Sequence, residues 1–399
     1  MGIEEIKQFI AKKVNIFSES RPYIFDLQNE EDRERVSAFI LESKIQYVVD
    51  DYREQLKELF QVRNPILVYM PDFEDQFSRY VQNIEEETPL WQHGRWICFP
   101  WLSTLVHILE ENSFQTVRTA RNKNLINEDE QNKFYHSVIG IAGLSVGNSI
   151  ALAIVLQGGG QHLRLADHDR LALSNTNRIR TGVHELGLSK VEMTARHIYA
   201  LNPYAKVELF AGGLTSENIS HFFEGPPKLD LVIDELDNLA IKFLIREQAK
   251  EHKLTVLMGA DNGDNAIIDI ERYDLNPQPD YFHGHLGRAT YDELLGLDKF
   301  GIGKTITKML GPENITIRMQ QSLLEMGKTI VSWPQLGGAA LLNGSVIAYC
   351  ARKLLTGQEL ESNRALISLD ERLIPNYNDQ EQMQKREEAS NEFKKIFKL

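Results

Sequence analysis

Asp167 closes an apolar run, and Gly140, Gly143 and Gly147 lie ahead of it in a stretch, residues 138–167, that reads VIGIAGLSVGNSIALAIVLQGGGQHLRLAD. An apolar run ends at Gly143, a small-residue turn carries Ser145, a helix-like segment runs to Gln157, and a second apolar run ends in Asp167. A strand–turn–helix–strand unit of this kind aims backbone N–H groups and a helix N-terminus at a phosphate, and a carboxylate at a ribose. The glycine spacing is G-x-x-G-x-x-x-G, not G-x-G-x-x-G, so a plain β–α turn of any doubly wound fold also fits this stretch. Arg178 follows Asp167 by eleven positions and Lys190 follows Arg178 by twelve; further on, the apolar run LVIDELDN (231–238) ends in Asp237 and Asn238. Taken singly, Asp167 and Asp237-Asn238 read as helix caps, and Arg178 and Lys190 as surface charges. Their joint order gives them a different weight.

The elements that would position these residues alternate. Strands are expected at 138–143, 162–167, 207–212, 229–234, 255–261 and 266–273, and helices at 145–157, 190–201, 216–223 and 239–251. The first four strands are short and apolar, as strands buried on both faces are. Alternation of this kind implies right-handed crossovers and a doubly wound, mostly parallel α/β sheet. The last run, IIDIERY, alternates and suggests an antiparallel extension. Residues 1–115 read as a mostly helical region with an aromatic cluster, WQHGRWICFPW, at its end; 116–360 carry the α/β pattern; 361–399 close with a charged helical tail, read as a solvated terminal helix in preference to a docking helix.

With 42% hydrophobic and 25% charged residues, the chain has the composition of an ordinary globular protein. A net charge of −13 argues against a broad nucleic-acid surface and leaves tRNA as the one such partner still open. Two cysteines, Cys98 and Cys350, exclude a disulfide framework and suit a cytoplasmic setting. No apolar segment reads as a signal peptide or membrane span, and Gly2 lacks the downstream Ser or Thr of a myristoylation signal.

On these motifs the chain resembles the ubiquitin-activating-enzyme-like superfamily, the ThiF/MoeB/HesA adenylyltransferases, over residues 116–360. Asp167 stands where that family places the Asp that binds the ATP ribose. Ser174-Asn175-Thr176-Asn177-Arg178-Ile179 matches four of the six positions of its S-N-L-N-R-Q motif. The resemblance implies a nucleotide turn at Gly143, Ser145 and Gly147, nucleotide and phosphate contacts from Asn175 and Arg178, a phosphate contact from Lys190, and a Mg²⁺ ligand in Asp237. Arg118-Thr119-Ala120-Arg121-Asn122 resembles the family's R-x-x-R-Q element, whose second arginine, here Arg121, reaches a partner's triphosphate across a homodimer interface. The helix at Gly337–Leu355 resembles one that packs beneath the site.

The implied chemistry is coherent. An acyl-adenylate forms when a carboxylate attacks the α-phosphorus of ATP and pyrophosphate leaves. Arg178, Lys190, Arg121 and a metal on Asp237 offset the repulsion between the anions. The attacking carboxylate is already ionised, so no general base is required.

The chain departs from the family in several places. Ser145 replaces a turn glycine and Ile179 replaces Gln. No C-x-x-C pair exists, so no zinc is expected. Cys98 and Cys350 lie in apolar surroundings, so no thioester step is expected. Gly301-Ile302-Gly303-Lys304-Thr305 fails as a phosphate loop because Asp298 stands where glycine is needed, and His283 and His285 read as a polar loop where the family places a substrate-covering segment.

The expected protein is a homodimeric ATP- and Mg²⁺-dependent adenylyltransferase, with an added N-terminal helical region, that activates a carboxylate: a protein or peptide C-terminus, or that of a small molecule or nucleoside. The alternatives are an NAD-binding oxidoreductase, in which Arg178 and Lys190 have no role, and a non-catalytic scaffold.

Overall fold

Short apolar runs stopped by glycine or acid become buried strands because both of their faces are covered. A computed structural model describes residues 3–13, 19–42, 44–86, 88–276 and 280–399; Gly2 lies outside them. The chain divides into two compact units, residues 1–125 and 126–399.

In the first unit, β1 (Tyr23–Phe25), β2 (Tyr47–Asp50), β3 (Arg95–Phe99) and β4 (Thr104–Ile108) form one sheet in the order β1-β3-β4-β2. Helices Tyr52–Arg63 and Phe73–Glu85 pack Leu56, Phe60, Phe73 and Phe77 into a core. Among the described residues helices take the greater length here; the sheet was not foreseen. Strands of three to five residues are too short to show a period of two. The aromatic cluster supplies β3, whose Trp96 and Cys98 are buried beside Phe25 and Leu105.

The second unit contains β5 (Val138–Ala142), β6 (His162–Ala166), β7 (Lys206–Phe210), β8 (Leu231–Asp234), β9 (Thr255–Asn262), β10 (Asn265–Arg272) and β11 (Asn363–Ile367), in the order β11-β10-β9-β8-β5-β6-β7. Strands β9, β8, β5, β6 and β7 are parallel; β10 and β11 continue the sheet antiparallel. This is the doubly wound, mostly parallel sheet that the alternation implied. Asn363–Ile367, beyond 361, thus belongs to the same sheet. The charged tail also docks: in helix Gln380–Phe397, Phe393 is buried against Ile315, Met319 and Leu323. The expectation of a solvated tail is corrected by that aromatic anchor. Gly301–Thr305 lies inside helix Lys299–Leu310, and Asp298 caps it by accepting the Gly301 N–H at 2.7 Å, so this segment is helix and not a phosphate loop.

Helix Gly337–Leu355 packs closely on helix Val146–Leu156, since a Cβ at Gly344 would lie 2.9 Å from the Ser149 backbone. Under the sheet end, the fully buried Arg246 of helix Leu239–His252 joins Asp234 (2.5 Å) to Glu271 (2.9 Å) and lies 3.9 Å from the centre of the Phe282 ring. Lys242 adds a 3.2 Å contact to Asp234, and the Tyr273 hydroxyl donates to Glu271. Removing the shared cation leaves two buried carboxylates short of countercharge. Arg246→Leu is therefore expected to lower stability by about 3–5 kcal/mol in urea unfolding, and a loss under about 1 kcal/mol would show that the network is not what holds β8 to β10.

Candidate active site

Strand β5 lies between β6 and β8, which the chain reaches in opposite directions. Ligands of such sheets bind outside the strands' carboxyl ends at this point of reversal. Gly143 leaves β5 there with φ +88°, donating its N–H to the Ala166 carbonyl at 2.8 Å. A Cβ on it would stand 2.3 Å from the Glu235 carbonyl oxygen, just past β8, so both the backbone angle and the space demand glycine. Gly147 is less constrained; its Cβ would meet an Ile141 methyl at 3.1 Å.

Asp167 is buried behind this turn. Its Oδ2 accepts the Leu144 N–H at 2.7 Å and its Oδ1 the Asp169 N–H at 2.8 Å, so the carboxylate shapes the turn. Lys190 opens helix Lys190–Leu201 and is also buried. Its Nζ lies 2.8 Å from Asp169 Oδ2, 3.8 Å from Asp167 Oδ2 and 3.3 Å from Ser145 Oγ. One ammonium thus ties the turn, the strand end and the helix start together. Asp167, His168 and Asp169 converge closely enough to hold a metal ion. Lys190 and two backbone N–H groups already compensate the two carboxylates, so the cluster is accounted for without an ion. Burial raises the Asp169 carboxyl, but the Lys190 hydrogen bond and charge outweigh it and hold it below its usual range.

Arg178 sits half-buried on the loop after β6. Its Nη1 donates to Asn177 Oδ1 (3.1 Å) and the Ser174 carbonyl (3.3 Å), and its buried Nε has no partner. Burial pushes the guanidinium down, against the pull of Asp237 and Asp261. Asn175 shapes the same loop, its Oδ1 accepting the Ala172 N–H at 3.0 Å. Ile179 is buried with Leu171 and Met193, which makes it the loop's apolar anchor.

Asp237 lies after β8. Its side chain still reaches water, yet it is enclosed by protein on its inner side. Burial raises its carboxyl, offset by Lys242, Lys190 and Arg178 and reinforced by Asp167. It makes no hydrogen bond among the described residues, whereas Asn238 caps the next helix by accepting the Ile241 N–H at 3.1 Å. Asp167, Lys190, Arg178 and Asp237 therefore share one crevice. Arg121 lies in a turn, Ala120–Asn122, of the first unit.

The sequence reading missed Glu235 and Asp261. Glu235 Oε1 accepts the Gly259 N–H at 2.7 Å, and burial pushes its carboxyl well up. Asp261, near the end of β9, accepts from Asn343 Nδ2 (2.5 Å) and Gln335 Nε2 (3.2 Å). The signal was available: like Asp167, Asp261 closes an apolar run.

A profile of the ThiF family matches residues 119–265. Residues 119–265 are thus a ThiF-family domain, of the ubiquitin-activating-enzyme-like superfamily. It is 34% identical over 323 residues to Uncharacterized protein MT1398 of Mycobacterium tuberculosis (strain CDC 1551 / Oshkosh), covering 80% of this chain and 44% of that one. It is 25% identical over 186 residues to Ubiquitin-like modifier-activating enzyme 5 of Gallus gallus, covering 44% and 46% of the two. The chain spans less than half the length of these curated relatives. A solved structure of the Microcin C7 biosynthetic enzyme MccB in complex with N-formylated MccA superposes with TM-score 0.45 at 15% identity, over 65% of this chain and 70% of that one. Among the described residues, no helix is long and apolar enough to cross a membrane.

In the ThiF domain, the loop joining Arg178 to Lys190 is pinned by Glu185. Its carboxylate accepts from the Thr181 hydroxyl at 2.7 Å and pairs with His197 Nε2 at 2.8 Å. Burial opposes ionisation, but His197 and Thr181 outweigh it and bring the carboxyl from 4.5 down to about 2. A depressed acid stabilises the fold above its unfolded value and loses that contribution as pH falls toward the folded one. Wild-type stability is thus expected to fall between pH 4.5 and about 2 by an increment that Glu185→Gln lacks, which urea unfolding across that range would read. Identical acid limbs in the two proteins would contradict the assignment.

Proposed function

We propose that the ThiF domain binds ATP with Mg²⁺ and activates a carboxylate as an acyl-adenylate, releasing pyrophosphate. The observation that carries this is the convergence of Asp167, Lys190, Arg178 and Asp237 on the crevice where Gly143 is pressed against Glu235. Two cations and two strand-end acids around a bare backbone turn suit a triphosphate, its metal and a ribose.

Asp167 orients the ribose while its backbone bonds keep the turn open. Lys190 and Arg178 draw the phosphates and oppose the charge that grows on the leaving pyrophosphate. Asp237, accessible and without a hydrogen-bond partner among the described residues, is the side chain that fits a Mg²⁺ ligand. When bound, the ion supplies neutralisation of phosphate charge. Holding the carboxylate in line with the α-phosphorus then supplies much of the rate.

The acyl group passes to its acceptor without an enzyme thioester. Cys98 and Cys350 are buried and burial pushes both thiols up to about 11, so neither supplies a thiolate near neutral pH. Similarity to Ubiquitin-like modifier-activating enzyme 5 supports a protein or peptide C-terminus as the carboxylate. Asp237→Ala should reduce metal-dependent exchange of pyrophosphate into ATP, measured with peptides bearing a free C-terminal carboxylate, by about 100-fold or more while leaving the fold intact. Exchange at the wild-type rate would remove Asp237 from the mechanism.

The active unit in this proposal is a homodimer, with Arg121 of one chain completing the partner's ATP site. A guanidinium suits that task because its planar donors hold two phosphate oxygens at once. Arg121→Ala and Asp237→Ala chains, each inactive, should regain about a quarter of the wild-type rate when mixed, since half the dimers are mixed and each has one complete site. Proven mixed dimers without activity, or an active monomer in light scattering, would exclude the crossing arginine.

A further inference from the structure

We propose that Asp261 is a positioning residue for Arg178, acting through Gln335 and Asn177. This rests on the nucleotide-binding reading of the crevice.

The connection is continuous. Asp261 Oδ2 accepts from Gln335 Nε2 at 3.2 Å; the Gln335 carbonyl accepts from Asn177 Nδ2 at 2.9 Å; and Asn177 Oδ1 accepts from Arg178 Nη1 at 3.1 Å. Two residues further on, a Cβ at Gly337 would stand 2.4 Å from the Asn177 carbonyl oxygen and 3.7 Å from Arg178 Cα. The segment leading into helix Gly337–Leu355 therefore lies directly against the backbone that carries Arg178.

Asp261 is an expensive group to place here. It is 5% exposed, and ionised carboxylates at such depth cost several kcal/mol unless compensated. Its compensation comes from Asn343 Nδ2 at 2.5 Å, Gln335 Nε2 and the field of Arg178. Asn343 is itself fully buried in an otherwise apolar row of its helix, and its Oδ1 has no partner. An apolar pair would fill the same space without an orphaned carbonyl oxygen. The polar pair therefore makes sense by what it holds, which is Gln335, and through Gln335 the arginine loop.

That loop needs an external support. Between Asp167 and Lys190 the chain forms two short 3₁₀ turns and an antiparallel bridge of Arg170 with Ser189 at its base, Glu185 pins the far side, and Arg178 itself rests on Asn177, the Ser174 carbonyl and the neighbouring Ile179 anchor. With its buried Nε unpartnered, the guanidinium has few bonds of its own to fix its direction. Long flexible cations lose precision unless their supports are rigid.

The test uses the full chain and ATP with Mg²⁺. Asp261→Asn is expected to weaken ATP binding about tenfold, and in an Arg178→Ala background to weaken it by less than about twofold, because the two residues act along one route. Losses that multiply would overturn the inference. Independently of ATP, the Arg178 Nε–Hε resonance of ¹⁵N-arginine-labelled protein should shift and exchange faster in Asp261→Asn; an unchanged resonance would also overturn it. If Asp261→Asn fails to fold, Gln335→Ala breaks the same route beside the crevice and carries the same two expectations. If the wild type binds no ATP, the functional reading falls, and the resonance alone still decides whether Asp261 positions Arg178.

Discussion

The backbones of β5 and β8 part at Gly143 and Glu235, and no side chain fits between them there. The rest of the candidate site depends on that contact. It sets the direction in which the chain enters helix Val146–Leu156, brings the Leu144 N–H onto Asp167, and places Ser145 within reach of Lys190. A side chain at Gly143 would strain a left-handed backbone and force apart the two strand ends that define the crevice.

Electrostatics follows from this geometry. Glu235, Asp237 and Asp261 all have carboxyls raised by burial, while Asp234 is held down against burial by Lys242 and Arg246. The deeper acid is thus neutralised within the protein, whereas Asp237 stands against Lys190 and Arg178, and Asp261 against Arg178. A site with cations on one loop and acids on the neighbouring strand ends suits an anion that arrives with its own metal. It offers less to a nicotinamide ring, cationic when oxidised and neutral when reduced, for which neither Arg178 nor Lys190 has a task.

Much of the fold was legible because each core strand is an apolar run with a glycine or acid at its end. Asp167 and Asp237 could be read as strand-end acids for that reason, and Lys190 as the start of a helix. Asp261 carried the same signature, yet its partners Gln335 and Asn343 lie 74 and 82 residues away and reach it only through the packing of a late helix. No local pattern announces such a pairing. The sheet of the first unit and the docking of Phe393 were hidden for related reasons: strands of a few residues show no period, and one aromatic in a charged tail does not reveal the cleft that receives it. Ile179 shows the reverse, a departure from a motif that becomes intelligible once it is seen as a loop anchor.

As an ATP site, and not a dinucleotide site, this crevice should distinguish the two ligands. Calorimetric titration of the full chain with ATP and Mg²⁺, and separately with NAD, tests it most directly. ATP is expected to bind saturably, with binding that weakens sharply in Arg178→Ala, and NAD is expected not to bind saturably. Saturable NAD binding that is indifferent to Arg178, with no heat from ATP, would contradict it.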